Sequence, residues 1–74
     1  MSARGIYDRK GEMFGYIDQQ DVYDLEGNRI GMIHGKLVHD RNDTPMWLLD
    51  GDAICDLKGN VMGYMGQPAR HGET

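Results

Sequence analysis

Along the chain, apolar residues fall in short alternating runs separated by polar, glycine-bearing breaks, and the whole pattern recurs every 16 residues. Asp8, Asp24, Asp40 and Asp56 mark the period. Three residues after each comes Gly11, Gly27 or Gly59, with Asp43 taking that place in the third copy. Gly15, Gly31 and Gly63 follow at a further fixed interval, where the third copy has Trp47. Gly35 and Gly51 form another matched pair, at the junctions into copies three and four. Register held through four copies without an insertion is the signature of a repeat architecture.

Each unit reads as a β-hairpin: a β-branched or apolar opening, an Asp-x-x-Gly turn, and a second apolar run. The aspartate accepts hydrogen bonds from amides inside its own turn, and the glycine supplies a positive φ beside a bulge. Turning at Asp8-Arg9-Lys10-Gly11 pairs Tyr7 with Met13 and Ile6 with Phe14. Alternation then predicts one apolar face: Ile6, Phe14, Tyr16; Val22, Ile30, Met32; Val38, Met46, Leu48; Ile54, Met62, Tyr64. That face is the expected core. Ile17, Ile33, Leu49 and Met65 fall nominally on the opposite face, although all are large and apolar. Either a bend at the preceding glycine turns them inward, which is the favoured reading, or they form a second layer buried against another chain. Gly15, Gly31 and Gly63 are expected on the outer face too, with tyrosines of neighbouring strands lying over them.

The predicted fold is therefore all-β: four tandem hairpins with pseudo-fourfold symmetry, closed into a flower- or barrel-like domain because open strand edges invite aggregation. No window shows a 3.6-residue period, so no helix is expected. The domain should span residues 4–66, leaving 67–74 as a disordered tail that matches no repeat.

With 74 residues the chain makes one lean domain, whose core should supply only about 3–5 kcal/mol without a staple. Cys55 is the sole cysteine, which rules out an intrachain disulfide and suggests a reducing, cytoplasmic setting. Self-association is then the expected staple, ahead of a bound metal. The net charge of −4 and scattered basic residues argue against nucleic acid as a partner. The apolar runs are far shorter than the ~20 residues needed to span a bilayer as a helix, so no membrane partner is expected.

The Tyr-Asp-x-x-Gly-x-x-x-Gly units at Tyr7 and Tyr23, and the version opening on Cys55, resemble the small bacterial "β-flower" families, in which hairpin petals surround a pseudo-symmetry axis. The resemblance runs over about residues 4–66. It implies the architecture and carries no activity with it. Copy three departs from the pattern at both glycine positions.

That departure, Asp43-Thr44-Pro45-Met46-Trp47, is the main functional lead. Tryptophan is enriched at binding hot spots and methionine suits adaptable apolar surfaces. A contact face built from Trp47, Met46, Pro45 and His39, taking a small apolar ligand, a protein partner or a second copy, is one reading; Trp47 filling a void of its own domain is the other. Pro45, lacking an amide, is expected on an edge strand. A different class of function, a metal protein or enzyme, would use His39, Cys55 and His34, with Asp40 nearby, since these are zinc- and copper-binding types. His39 and Cys55 share a repeat position and are expected to face each other across neighbouring strands. No close-spaced ligand pair supports a metal, and no nucleophile–base pair supports catalysis. The recurring aspartates are better read as turn caps than as a cation-binding ring. The overall expectation is a non-enzymatic interaction or small-ligand-binding module without a cofactor.

Overall fold

Four Asp-x-x-Gly or Asp-x-x-Asp turns and three shorter junction turns fold the chain into eight antiparallel strands. The structure, a computed structural model, describes residues 3–68. The strands are β1 (Arg4–Asp8), β2 (Met13–Asp18), β3 (Asp21–Asp24), β4 (Arg29–His34), β5 (Leu37–Asp40), β6 (Pro45–Asp50), β7 (Ala53–Cys55) and β8 (Val61–Pro68). Each pairs with its chain neighbours, and β8 pairs with β1, closing a barrel in sequential order. Gln67 and Pro68 belong to β8 rather than to a tail, because Arg4 of β1 offers Pro68 a partner. The remainder of the expected tail, 69–74, lies outside the described residues.

The turns form for the reason the sequence suggests. In the first, the amides of Lys10 and Glu12 both donate to Asp8 Oδ1 at 2.9 Å. The Gly11 amide donates to the Asp8 carbonyl at 3.0 Å, with Gly11 at φ 86°. Asp24, Asp40 and Asp56 repeat the arrangement. Each aspartate thus caps its own hairpin. Amide donation from Asn28 holds the Asp24 carboxyl below the usual range, and donation from Asn60 does the same for Asp56. A folded pKa below the unfolded value means stability that is present above about pH 3.9 and lost as pH falls through the depressed value. Acid titration of stability should therefore show a steeper loss below about pH 4 in the native chain than in an Asp24→Asn, Asp56→Asn double variant. Equal slopes would contradict this role.

Packing differs from simple alternation at one point in every hairpin. Ile6 pairs with Gly15, not Phe14, while Tyr7 pairs with Met13, so Phe14 is an extra residue in a β-bulge. The same shift recurs in each later hairpin. A bulge places two successive residues on the same side and reverses the alternation after them. Ile17, Ile33, Leu49 and Met65 consequently turn inward with Ile6, Val22, Val38 and Ile54. The last four are 0% exposed, each contributing about 1.5–3 kcal/mol. Phe14, Ile30 and Met46 pack against this cluster as expected. Tyr16, Met32, Leu48 and Tyr64 do not belong to it: the bulge puts them outside, and Met62 is also exposed. The favoured bend is thus real, and it exchanges the last residue of every expected core trio for its neighbour, the fourth trio losing Met62 as well.

Gly15, Gly31 and Gly63 are buried on the inner side, where the backbone of the adjacent strand passes close by. A Cβ on Gly31 would stand 2.6 Å from the His39 carbonyl oxygen. It is Gly5 and Gly66 that lie beneath a tyrosine ring, that of Tyr7. At the equivalent position Trp47 carries its side chain against the core, edge-on to Phe14 with centroids 6.0 Å apart. The ladder yields there. The pairs Gly15–Asp24, Gly31–Asp40 and Gly63–Asp8 have no Trp47–Asp56 counterpart, and β7 has only three residues. Pro45 opens β6, which has partners on both sides rather than forming an edge. The first residue of a strand tolerates a missing amide.

Candidate functional site

The outer face carries a belt of cross-strand pairs at the four seams between repeats: Tyr16–Tyr23, Met32–His39, Leu48–Cys55 and Tyr64–Tyr7. Tyr16 and Tyr23 stack with centroids 5.1 Å apart and planes at 14°. At the β4–β5 seam the tyrosine pair is replaced by Met32 and His39, and the chemistry changes with it.

His39 stands opposite Met32, and His34 lies two residues further along β4. Diagonal neighbours across a ladder are within reach of aromatic side chains. The two imidazoles meet edge to face, 4.9 Å between centroids and 75° between planes. Asp43 arrives from the third-repeat turn. It occupies the glycine position of the other repeats with φ 64°, a left-handed conformation that aspartate tolerates better than most side chains. The substitution leaves the turn intact and brings a carboxylate to the histidine pair.

One ligand atom from each of His34, His39 and Asp43 lies within 4.8 Å of the others. His34 and Asp43 are exposed and His39 is half-buried. His39 Nδ1 is buried and has no hydrogen-bond partner. Buried polar atoms are usually paired, so each orphan asks for an explanation. The three residues line a shallow cleft of about 140 Å³ together with Arg29, Met32 and Arg41. Metal–ligand bonds of about 2.0–2.2 Å hold donor atoms roughly 3–3.5 Å apart. A tetrahedral ion would need its donors nearer together than the 4.8 Å limit within which these three lie.

A family model described as "4-fold beta flower protein" matches residues 4–74. The chain belongs to the β-flower family. In this barrel, equivalent positions of successive repeats lie two strands apart, and this separates residues that the repeat alignment suggests as partners. Cys55, on β7, has β6 between it and His39 on β5. It is buried at 6% exposure opposite Leu48 and takes no part in the histidine cluster. Asp40 lines the cleft but spends Oδ1 on the amides of Asn42 and Thr44. Of the expected contact face, Met46 and Trp47 pack against the interior, Pro45 is exposed at the start of β6, and His39 belongs to the cleft. Asp43 is the residue that sequence reasoning left out of the metal-ligating set. Its signal was an acidic residue standing where the β-flower turn otherwise has glycine. No curated protein and no solved structure matches the chain. Among the described residues there is no helix long and apolar enough to cross a membrane.

Proposed function

We propose that this protein is a non-enzymatic binding module whose ligand is a divalent transition-metal ion, held by His34, His39 and Asp43 on the outer wall of the β4–β5 hairpin. The observation that carries the reading is the convergence of two imidazoles and a carboxylate within 4.8 Å. The unpartnered His39 Nδ1 supports it, because a buried polar atom without a hydrogen-bond partner calls for one. Two histidines and one carboxylate with open positions suit zinc and its borderline neighbours, among them iron(II) and nickel, better than calcium or magnesium, which prefer all-oxygen shells. The site straddles the seam between the second and third repeats, His34 coming from the second and His39 and Asp43 from the third, and so gives Asp43 and His39 a reason to depart from the pattern.

Calorimetric titration of the untagged protein with zinc should give one ion per chain. His39→Ala should weaken binding by more than the about 10–100-fold that loss of a supporting hydrogen bond costs at metal sites. Cys55→Ser should bind as the native chain does. No binding by the native chain, or full binding by His39→Ala, would remove the reading; loss of binding in Cys55→Ser would transfer it to the thiol.

A further inference from the structure

Three protein donors do not complete the shell of a transition ion. Four-coordinate zinc keeps one position and a six-coordinate ion keeps three. What takes those positions is determined by the cleft around them. Arg29 and Arg41 line it together with the three donors. Arg29 is only loosely engaged, by Asp21 at 3.4 Å with both groups substantially exposed, a pairing of little energetic value. Arg41 forms no ion pair among the described residues. Without an ion, the two guanidiniums are matched in number by Asp40 and Asp43; a divalent cation leaves the cleft with an excess of two positive charges. The cleft, about 140 Å³, is small beside the ~300–1,000 Å³ typical of pockets for organic ligands. Such a cleft fits an anion of a few heavy atoms.

We propose that the metal-loaded cleft captures a small oxyanion, a carboxylate or a phosphate, with one oxygen on the ion and others on the Arg41 and Arg29 guanidiniums. The inference rests on the metal-binding reading above and adds the class of ligand that completes the site. Guanidinium favours it because its planar fork matches paired oxygens on carboxylate and phosphate, whereas a monatomic halide offers only a point charge. The overall charge of −4 works against a polyanion such as nucleic acid, so the oxyanion is a small free one.

The test uses the untagged protein loaded with cobalt(II), whose visible bands report the coordination shell, titrated separately with oxalate, inorganic phosphate and chloride. Oxalate or phosphate should shift the bands with the metal retained, and should bind roughly tenfold or more tightly to loaded than to metal-free protein. The stronger of the two responses identifies the source as dicarboxylate or phosphate. Arg29→Gln combined with Arg41→Gln should weaken the oxyanion by about tenfold or more while cobalt binds at least as tightly as to the native chain, two like charges having been removed. Bands that ignore both oxyanions, a chloride response of equal strength, stripping of the metal, or an arginine double variant that binds oxyanion normally would each overturn the proposal while the metal reading stands. Failure of the native chain to bind cobalt at all removes both.

Discussion

Replacing Gly63 with alanine is expected to leave much of the chain unfolded at neutral pH. The methyl group would overlap the Tyr7 carbonyl oxygen and stand 3.1 Å from its carbon and 3.3 Å from Asp8 Cα. All three atoms are backbone, so no side-chain rotamer relieves the collision. Overpacking of a core usually costs about 1–3 kcal/mol through rotamer and backbone shifts. Here the cost should lie at or above the top of that range, because the strand itself must move. The strand is β1, and the seam is the one that joins the two ends of the barrel. Separating it exposes two unpaired edges at once. The third repeat shows what the fold does when a side chain occupies this position: with Trp47 in place of glycine, one ladder pair is absent and β7 is shortened. That repeat recovers part of the loss through the contact of Trp47 with Phe14, which a methyl group cannot make. Against a total stability of about 3–5 kcal/mol for a domain this small, a penalty near 3 kcal/mol or more is decisive. Urea denaturation followed by Trp47 fluorescence reads it directly. Leu25→Ala, at an exposed turn position, provides the control and should stay within about 0.5 kcal/mol of the native chain. A Gly63→Ala protein as stable as that control would mean that β8 and β1 do not approach so closely.

How far the sequence discloses this molecule depends on what kind of regularity carries each feature. The turns were legible because Asp8 and its equivalents act locally: capping needs only residues two and four further on. Closure into a barrel was legible because four equal hairpins leave edges that must be covered. The inner and outer faces beyond the bulge were not. Counting alternate residues assumes an unbroken ladder, and one extra residue at Phe14 reverses the parity of everything after it in β2. The misfit of Ile17, Ile33, Leu49 and Met65 with a polar outer face was the trace of that reversal. The site divides in the same manner. His34 and His39 stood out as residue types, and one hairpin brings them together. Asp43 joins them from the glycine position of the turn; the repeat discloses its left-handed backbone, but not that its carboxylate meets two imidazoles carried by the neighbouring strands. Cys55 shares a repeat position with His39, but sequential strand order keeps equal positions two strands apart. Equivalence under the repeat is thus the opposite of contact in this barrel.

The bulge has a mutational consequence that separates the two ways of counting faces. Straight alternation puts Tyr64 in the core and Ile17 outside it; the barrel puts Ile17 at 6% exposure and Tyr64 at 50%. Ile17→Ala should therefore cost about 2–5 kcal/mol, the range for truncating a buried isoleucine. The middle of that range is the better expectation, because Ile17 pairs with Val22 and packs in the central cluster with Ile6, Val38 and Ile54. A void left there has no loop able to settle into it, since the walls are strands bonded on both sides. Such a loss would consume most of the stability available, and the variant should melt broadly or fail to give a folded baseline. Tyr64→Ala removes a larger side chain yet should cost less than about 1 kcal/mol, since what it gives up is cross-strand contact with Tyr7 at a half-exposed position. Size and effect thus run in opposite directions, an outcome that residue volume alone would not produce. Were Tyr64→Ala the more damaging of the two in urea denaturation, the outer belt would have to be a buried surface, and the barrel interior would lose its claim to be the core.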